Sequence, residues 1–141
     1  MTDRHLAAAT TRKGAPKLLL IGRDRDEGER VRRLLSYGAA AAQVAVCASP
    51  CEGRNRLRRE GAPDVVLLED RAWPEVDAEA LEELRALCTR AAPRVGLILS
   101  RRLGESQRGS RVPRGVPVVE RPYRLDELFD ALRLAMLRSE S

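Results

Sequence analysis

Pro63-Asp64-Val65-Val66-Leu67-Leu68-Glu69-Asp70 runs through four consecutive aliphatic residues and closes on two acids. Successive side chains of a strand point to opposite faces, so an unbroken apolar run is one buried on both sides. Such a strand belongs in the middle of a parallel sheet covered by helices. Similar runs recur upstream at Lys17–Ile21 and downstream at Val95–Leu99 and Val116–Val119, with a weaker candidate at Gln43–Ala48. Stretches of helical period lie between them. Arg25–Tyr37 carries Val31, Leu34 and Leu35 among charges, and Pro50–Glu60 has proline in its first turn and Gly61 at its stop. Asp77–Ala91 places Leu81, Leu84 and Leu87 on one side, and Leu125–Leu137 turns Leu125, Leu128, Phe129, Leu132 and Met136 inward. Strands alternating with helices at this spacing predict βαβ crossovers, hence a parallel sheet with helices on both faces.

One segment interrupts the rhythm. A helix is expected between the fourth and fifth strands, yet Arg101–Pro117 holds Gly104, Gly109, Gly115, Pro113 and Pro117. Glycine and proline are costly inside helices, so this helix is expected to be short or degenerate. The segment also carries Arg101, Arg102, Arg108, Arg111 and Arg114 against the single acid Glu105. It reads either as a solvated loop or as a basic docking surface.

The 141 residues, 43% hydrophobic and 33% charged, suit one domain and leave no room for two of ordinary size. Residues 1–16 read as a flexible tail, 17–138 as the domain and 139–141 as a short C-terminal tail. No apolar run is long enough for a membrane span, and the first residues lack the apolar stretch of a signal peptide, so a cytoplasmic protein is expected. Cys47, Cys51 and Cys88 do not suggest a disulfide framework, and His5 is the sole histidine, so no four-ligand zinc site assembles. The thiols read as structural. A net charge of +5 permits nucleic-acid contact, but aromatic residues make up only 3% and leave little for base stacking. Neither a P-loop nor a dinucleotide fingerprint occurs in the first strand–helix turn, Gly22–Glu29.

This order of elements resembles the response-regulator receiver domain over Lys17–Arg138. Three motifs carry the likeness: PDVVLLED with the trailing RAWPEVDA (Pro63–Ala78), LILS (Leu97–Ser100) and VERPYRLDEL (Val119–Leu128). The resemblance implies a flavodoxin-like, doubly wound sheet of five strands in the order 2-1-3-4-5. It also implies a pocket beyond the carboxyl ends of the strands. In the family an acid pair after strand one holds Mg²⁺, an aspartate ending strand three accepts a phosphoryl group, and a hydroxyl and a lysine line the remainder. Here Gly22 and Arg23 stand at the acid pair, Ser100 at the hydroxyl and Arg121 at the lysine. The acceptor position falls on Glu69 counting from Pro63, or on Asp70 counting back from Pro74; strand register favours Glu69.

Glycine has no ligand atom and a guanidinium cannot coordinate a cation. The resemblance therefore implies a phosphorylation-independent, non-enzymatic interaction module of bacterial signalling that needs no cofactor. Arg23 and Arg121 are expected to face Glu69 or Asp70, either as a fixed ion-pair cluster replacing metal and phosphate or as solvated remnants. The alternative is a phosphorylatable receiver using Asp70, with Mg²⁺ held by Asp24 and Asp26. A further alternative is an arginine-rich regulator that contacts nucleic acid, although no nucleic-acid-binding motif follows the receiver-like part. The expected partner is a signalling protein or an effector domain of the same protein, with homodimerisation open. The interaction surface is expected at Arg101, Arg102, Arg108, Arg111, Arg114 and Tyr123.

Overall fold

The computed structural model describes residues 16–36, 43–90, 95–102 and 115–140. Five strands, β1 (Lys17–Ile21), β2 (Gln43–Cys47), β3 (Val65–Glu69), β4 (Gly96–Arg102) and β5 (Val118–Arg121), pair in parallel in the order β2-β1-β3-β4-β5. The described helices are α1 (Arg25–Ser36), α2 (Pro50–Glu60), α3 (Ala78–Thr89) and α4 (Leu125–Glu140), with a 3₁₀ turn at Glu75–Asp77. The helix expected after β4 lies outside the described residues, as do residues 1–15 of the expected 1–16 tail, Tyr37, Arg108, Arg111 and Arg114.

Strand parity divides the core into two layers. Leu18, Leu20, Val65, Leu67 and Ile98 meet Val31 and Leu35 of α1 and Leu128, Leu132 and Met136 of α4. Leu19, Ile21, Val66, Leu68 and Leu99 meet Leu84 and Leu87 of α3. Glycines bring the helices close. A Cβ at Gly28 of α1 would lie 2.5 Å from Val46 Cγ1, and one at Gly53 of α2 would lie 2.7 Å from Ile21 Cδ1.

Local chemistry sets the helix ends. Asp24 Oδ1 accepts the Asp26 and Glu27 N–H groups at 3.0 and 3.2 Å and so starts α1. Ser49 Oγ accepts the Glu52 N–H at 3.2 Å with Pro50 in the first turn, and Gly61, at φ 86°, closes α2 in a conformation that favours glycine.

The strand boundaries depart most from expectation at β4 and β5. β4 continues past Leu99 to Arg102, because Ser100, Arg101 and Arg102 pair with Val119, Glu120 and Arg121. β5 begins at Val118 rather than Val116. Pro117 has no N–H to donate, and its carbonyl instead accepts the Leu99 N–H at 3.0 Å. α4 also runs past Leu137, to Glu140.

Candidate functional site

The two acids closing β3 go to opposite faces of the sheet. Glu69 keeps the parity of Val65 and Leu67 and lies in register with Ser100 of β4. Arg121 keeps the parity of Val119, and its Nη1 reaches Glu69 Oε1 at 2.9 Å. Their side chains are 11% and 8% exposed, so this pair is largely withdrawn from water. The same Nη1 stands 3.4 Å from Glu27 Oε1 on α1. Arg71 Nη1 lies 3.6 Å from Glu69 Oε2, and the Arg23 backbone N–H donates to Glu69 Oε1 at 3.4 Å. Glu69 is thus surrounded by donors from the segments following β1 and β3 and from the last residue of β5.

Asp70 takes the other parity, that of Val66 and Leu68. Its Oδ2 accepts from Arg101 Nε at 2.7 Å, and its N–H donates to the Ser100 carbonyl at 2.6 Å. Arg101 is 8% exposed. The expectation of Arg101 on an open basic surface is therefore corrected: β4 extends through it, and its charge is spent on Asp70 inside the fold. Arg102, one residue on, is exposed.

Ser100 is 1% exposed and its Oγ lies 2.6 Å from the Tyr123 hydroxyl. Tyr123 is corrected in the same way, since it packs half-buried against the α1/α4 core layer and turns its hydroxyl inward. Burial pushes this phenol up to about 12. A folded-state value above the unfolded one favours the neutral phenol. The associated stability is complete below about pH 10 and is lost as pH rises toward about 12. Urea-denaturation midpoints measured between those pH values should fall more steeply for the native chain than for Tyr123→Phe. Parallel slopes would mean that the hydroxyl is not withdrawn from water. Burial likewise raises the Cys47 thiol, to about 11, and no disulfide joins Cys47, Cys51 and Cys88.

The residues at the metal position do not form a magnesium site. Gly22 faces Glu69, for a Cβ there would lie 3.5 Å from its Oε1, yet glycine offers no ligand. The Arg23 side chain is exposed and contributes only its backbone N–H, which corrects the expectation of its guanidinium facing the acid. Asp24 Oδ1 is engaged in capping α1, and Asp26 is exposed on its first turn. Among the described residues no three His, Cys, Asp or Glu side chains converge as a metal site would need. An open cavity of 710 Å³ lies over the Glu69–Arg121 pair, lined in part by Arg23, Asp24, Glu27, Arg71 and Arg102.

Sequence reasoning missed Glu27 and Arg71. The Asp24-x-x-Glu27 spacing of a helix start was a visible signal for Glu27, although here the glutamate turns to Arg121. Arg71 lies 5.1 Å over the Trp73 ring, whose Nε1 donates to the Glu69 carbonyl at 3.2 Å. Nothing in sequence spacing announces that stack.

Neither protein-family models nor curated proteins match this chain. Solved structures do. A response regulator receiver domain protein from Clostridium thermocellum aligns with a TM-score of 0.67 at 18% identity, over 89% of this chain and 97% of that one. The signal receiver domain of an HD domain-containing protein from Pseudomonas fluorescens Pf-5 gives a TM-score of 0.65 at 17% identity, over 89% and 98%. A two-component transcriptional regulator AraC from Clostridium phytofermentans gives 0.67 at 18%, over 88% and 94%.

Proposed function

The fold is that of response-regulator receiver domains, and on that premise we propose that this chain is an atypical receiver that signals without phosphorylation or Mg²⁺. In this reading it is a non-enzymatic protein–protein interaction module of bacterial signalling, working in the cytoplasm on a signalling protein or an effector domain. One observation carries it. The acid at the end of β3 is a glutamate already neutralised by Arg121 at 2.9 Å, while Gly22 and Arg23 replace the carboxylates that would hold a metal. A guanidinium supplies permanently, through a fixed charge-assisted pair, the cation that phosphotransfer would recruit from solution. Val118, Leu134, Leu137 and, against its expected inward placement, Leu125 are exposed on β5 and α4, apolar surface of the kind that protein partners cover. No described helix is long and apolar enough to cross a membrane.

Incubation with acetyl phosphate and Mg²⁺, read by intact mass, tests the proposal. The mass is expected to stay unchanged. Stoichiometric, acid-labile gain of one phosphoryl group, abolished in Asp70→Ala, would replace this reading with a phosphorylatable receiver.

A further inference from the structure

Arginine stands at the carboxyl end of four neighbouring strands: Arg23 just past β1, Arg71 just past β3, Arg102 closing β4 and Arg121 closing β5. Neighbouring strands lie about 4.8 Å apart, so the row extends about 14 Å along the sheet edge. All four line the 710 Å³ cavity, which they share with the acids Asp24, Glu27 and Glu69. Glu69 is buried and Glu27 half-buried, while Asp24 is exposed. Glu69 and Glu27 are engaged by Arg121, and Asp24 caps α1. Arg23 and Arg102 are exposed, and neither has an ion-pair partner among the described residues. Arg71 is held over the Trp73 ring at 5.1 Å with its side chain 26% exposed. Arg71 also stands 3.6 Å from Glu69 Oε2, so the cavity sets four guanidiniums against three carboxylates, and the charges of Arg23 and Arg102 are the ones that no ion pair among the described residues engages.

We propose that this cavity binds a small anion bearing a diphosphate group, non-covalently and without metal. Planar guanidinium forks match phosphate oxygens in pairs, and their charge substitutes for a divalent cation. Arg23, Arg71 and Arg102 spread over three strands, about 10 Å, which suits two linked phosphates better than one. The cavity volume falls within the range of about 300–1,000 Å³ common to small-molecule sites. A nucleoside diphosphate and free pyrophosphate present the same recognised group. The inference goes beyond the interaction-module reading and does not depend on it, because Arg23 and Arg102 take no part in the Glu69–Arg121 pair.

Calorimetric titration with pyrophosphate, in EDTA at constant ionic strength, is the test. Saturable binding at one site is expected, weakened by about tenfold or more in Arg23→Gln/Arg102→Gln. Both side chains are exposed, so the fold should persist, and an unchanged melting temperature checks it. Arg32→Gln/Arg133→Gln removes the same net charge from α1 and α4, at positions that do not line the cavity, and should leave the affinity within about twofold. Adenosine diphosphate as a second titrant separates the sources: equal affinity assigns recognition to the phosphates alone, and tighter binding assigns it to a nucleotide. Pyrophosphate should also shift the backbone amide resonances of Arg23, Ala72 and Arg102 in the native chain. Absent saturable binding, equal weakening in both double variants, or amide shifts confined to other basic surfaces would overturn the proposal. Intact mass after acetyl phosphate treatment reads the phosphorylation question separately, so the two can fail independently.

Discussion

Arg121→Ala is expected to lower the unfolding free energy by about 3 kcal/mol, the lower end of the range for breaking a buried ion pair by removing one partner. The cause is the charge left behind. Glu69, with its side chain 8% exposed, would keep its carboxylate beneath the cavity without its 2.9 Å partner. Glu69→Ala leaves Arg121 with Glu27 at 3.4 Å, much as Arg121→Ala leaves Glu69 with Arg71 at 3.6 Å, so the two losses should be comparable. A double-mutant cycle on Arg121→Ala and Glu69→Ala should return a coupling above about 1 kcal/mol, as for residues in direct contact. Added salt should change it little, since withdrawn pairs are poorly screened. The parallel cycle on Arg23→Ala and Glu69→Ala should be nearly additive. Arg23 reaches Glu69 through its backbone N–H, which alanine keeps. Additive losses in the Arg121 cycle would make these residues solvated remnants and remove the idea of a built-in substitute for metal and phosphate.

Gly96→Ala should destabilise the fold by about 2–3 kcal/mol, as overpacking of a filled core does. A Cβ there would stand 2.5 Å from the Ala135 carbonyl oxygen and 2.9 Å from the Ala135 carbonyl carbon. Those atoms belong to the backbone of α4 and cannot rotate aside, so the helix must move off the sheet. Pro122 and Tyr123 lead directly into α4, so the displacement should also disturb the Ser100–Tyr123 hydrogen bond. Gly53→Ala is the matched comparison. Its Cβ would meet Ile21 Cδ1 at 2.7 Å, the far end of a side chain that can turn away. The helix preference of alanine over glycine, about 1 kcal/mol, offsets part of that cost. Urea-denaturation midpoints should therefore fall much further for Gly96→Ala than for Gly53→Ala. Equal shifts would mean that α4 does not pack onto β4 as closely as described.

The elements were legible because each is written in local pattern. Val65–Leu68 reads as a strand buried on both faces, and it is. Pro50 and Gly61 read as the ends of one helix, and they bound α2. The edges were less legible. The limits of β4 and β5 depend on what each residue pairs with across the sheet. Arg101 looks like a loop residue until Glu120 lies beside it and Asp70 takes its charge.

The site divides along the same line. Sequence alone determined that a carboxylate would close β3, that no carboxylate would stand at Gly22 or Arg23, and that an arginine would precede Pro122. These are matters of residue identity at positions set by the strand pattern. Which acid faces the pocket, and which arginine answers it, was decided only in the tertiary structure. Alternation turned Glu69 toward Ser100 and Tyr123, and Asp70 toward Arg101. Arg23 follows β1 with its guanidinium in solvent, whereas Arg121, on a neighbouring strand of β4, reaches across to Glu69. The physical reason is range. Backbone preference and apolar period act over a few residues, while a charge pair is settled by atoms 52 residues apart in the chain that meet only when the sheet has assembled.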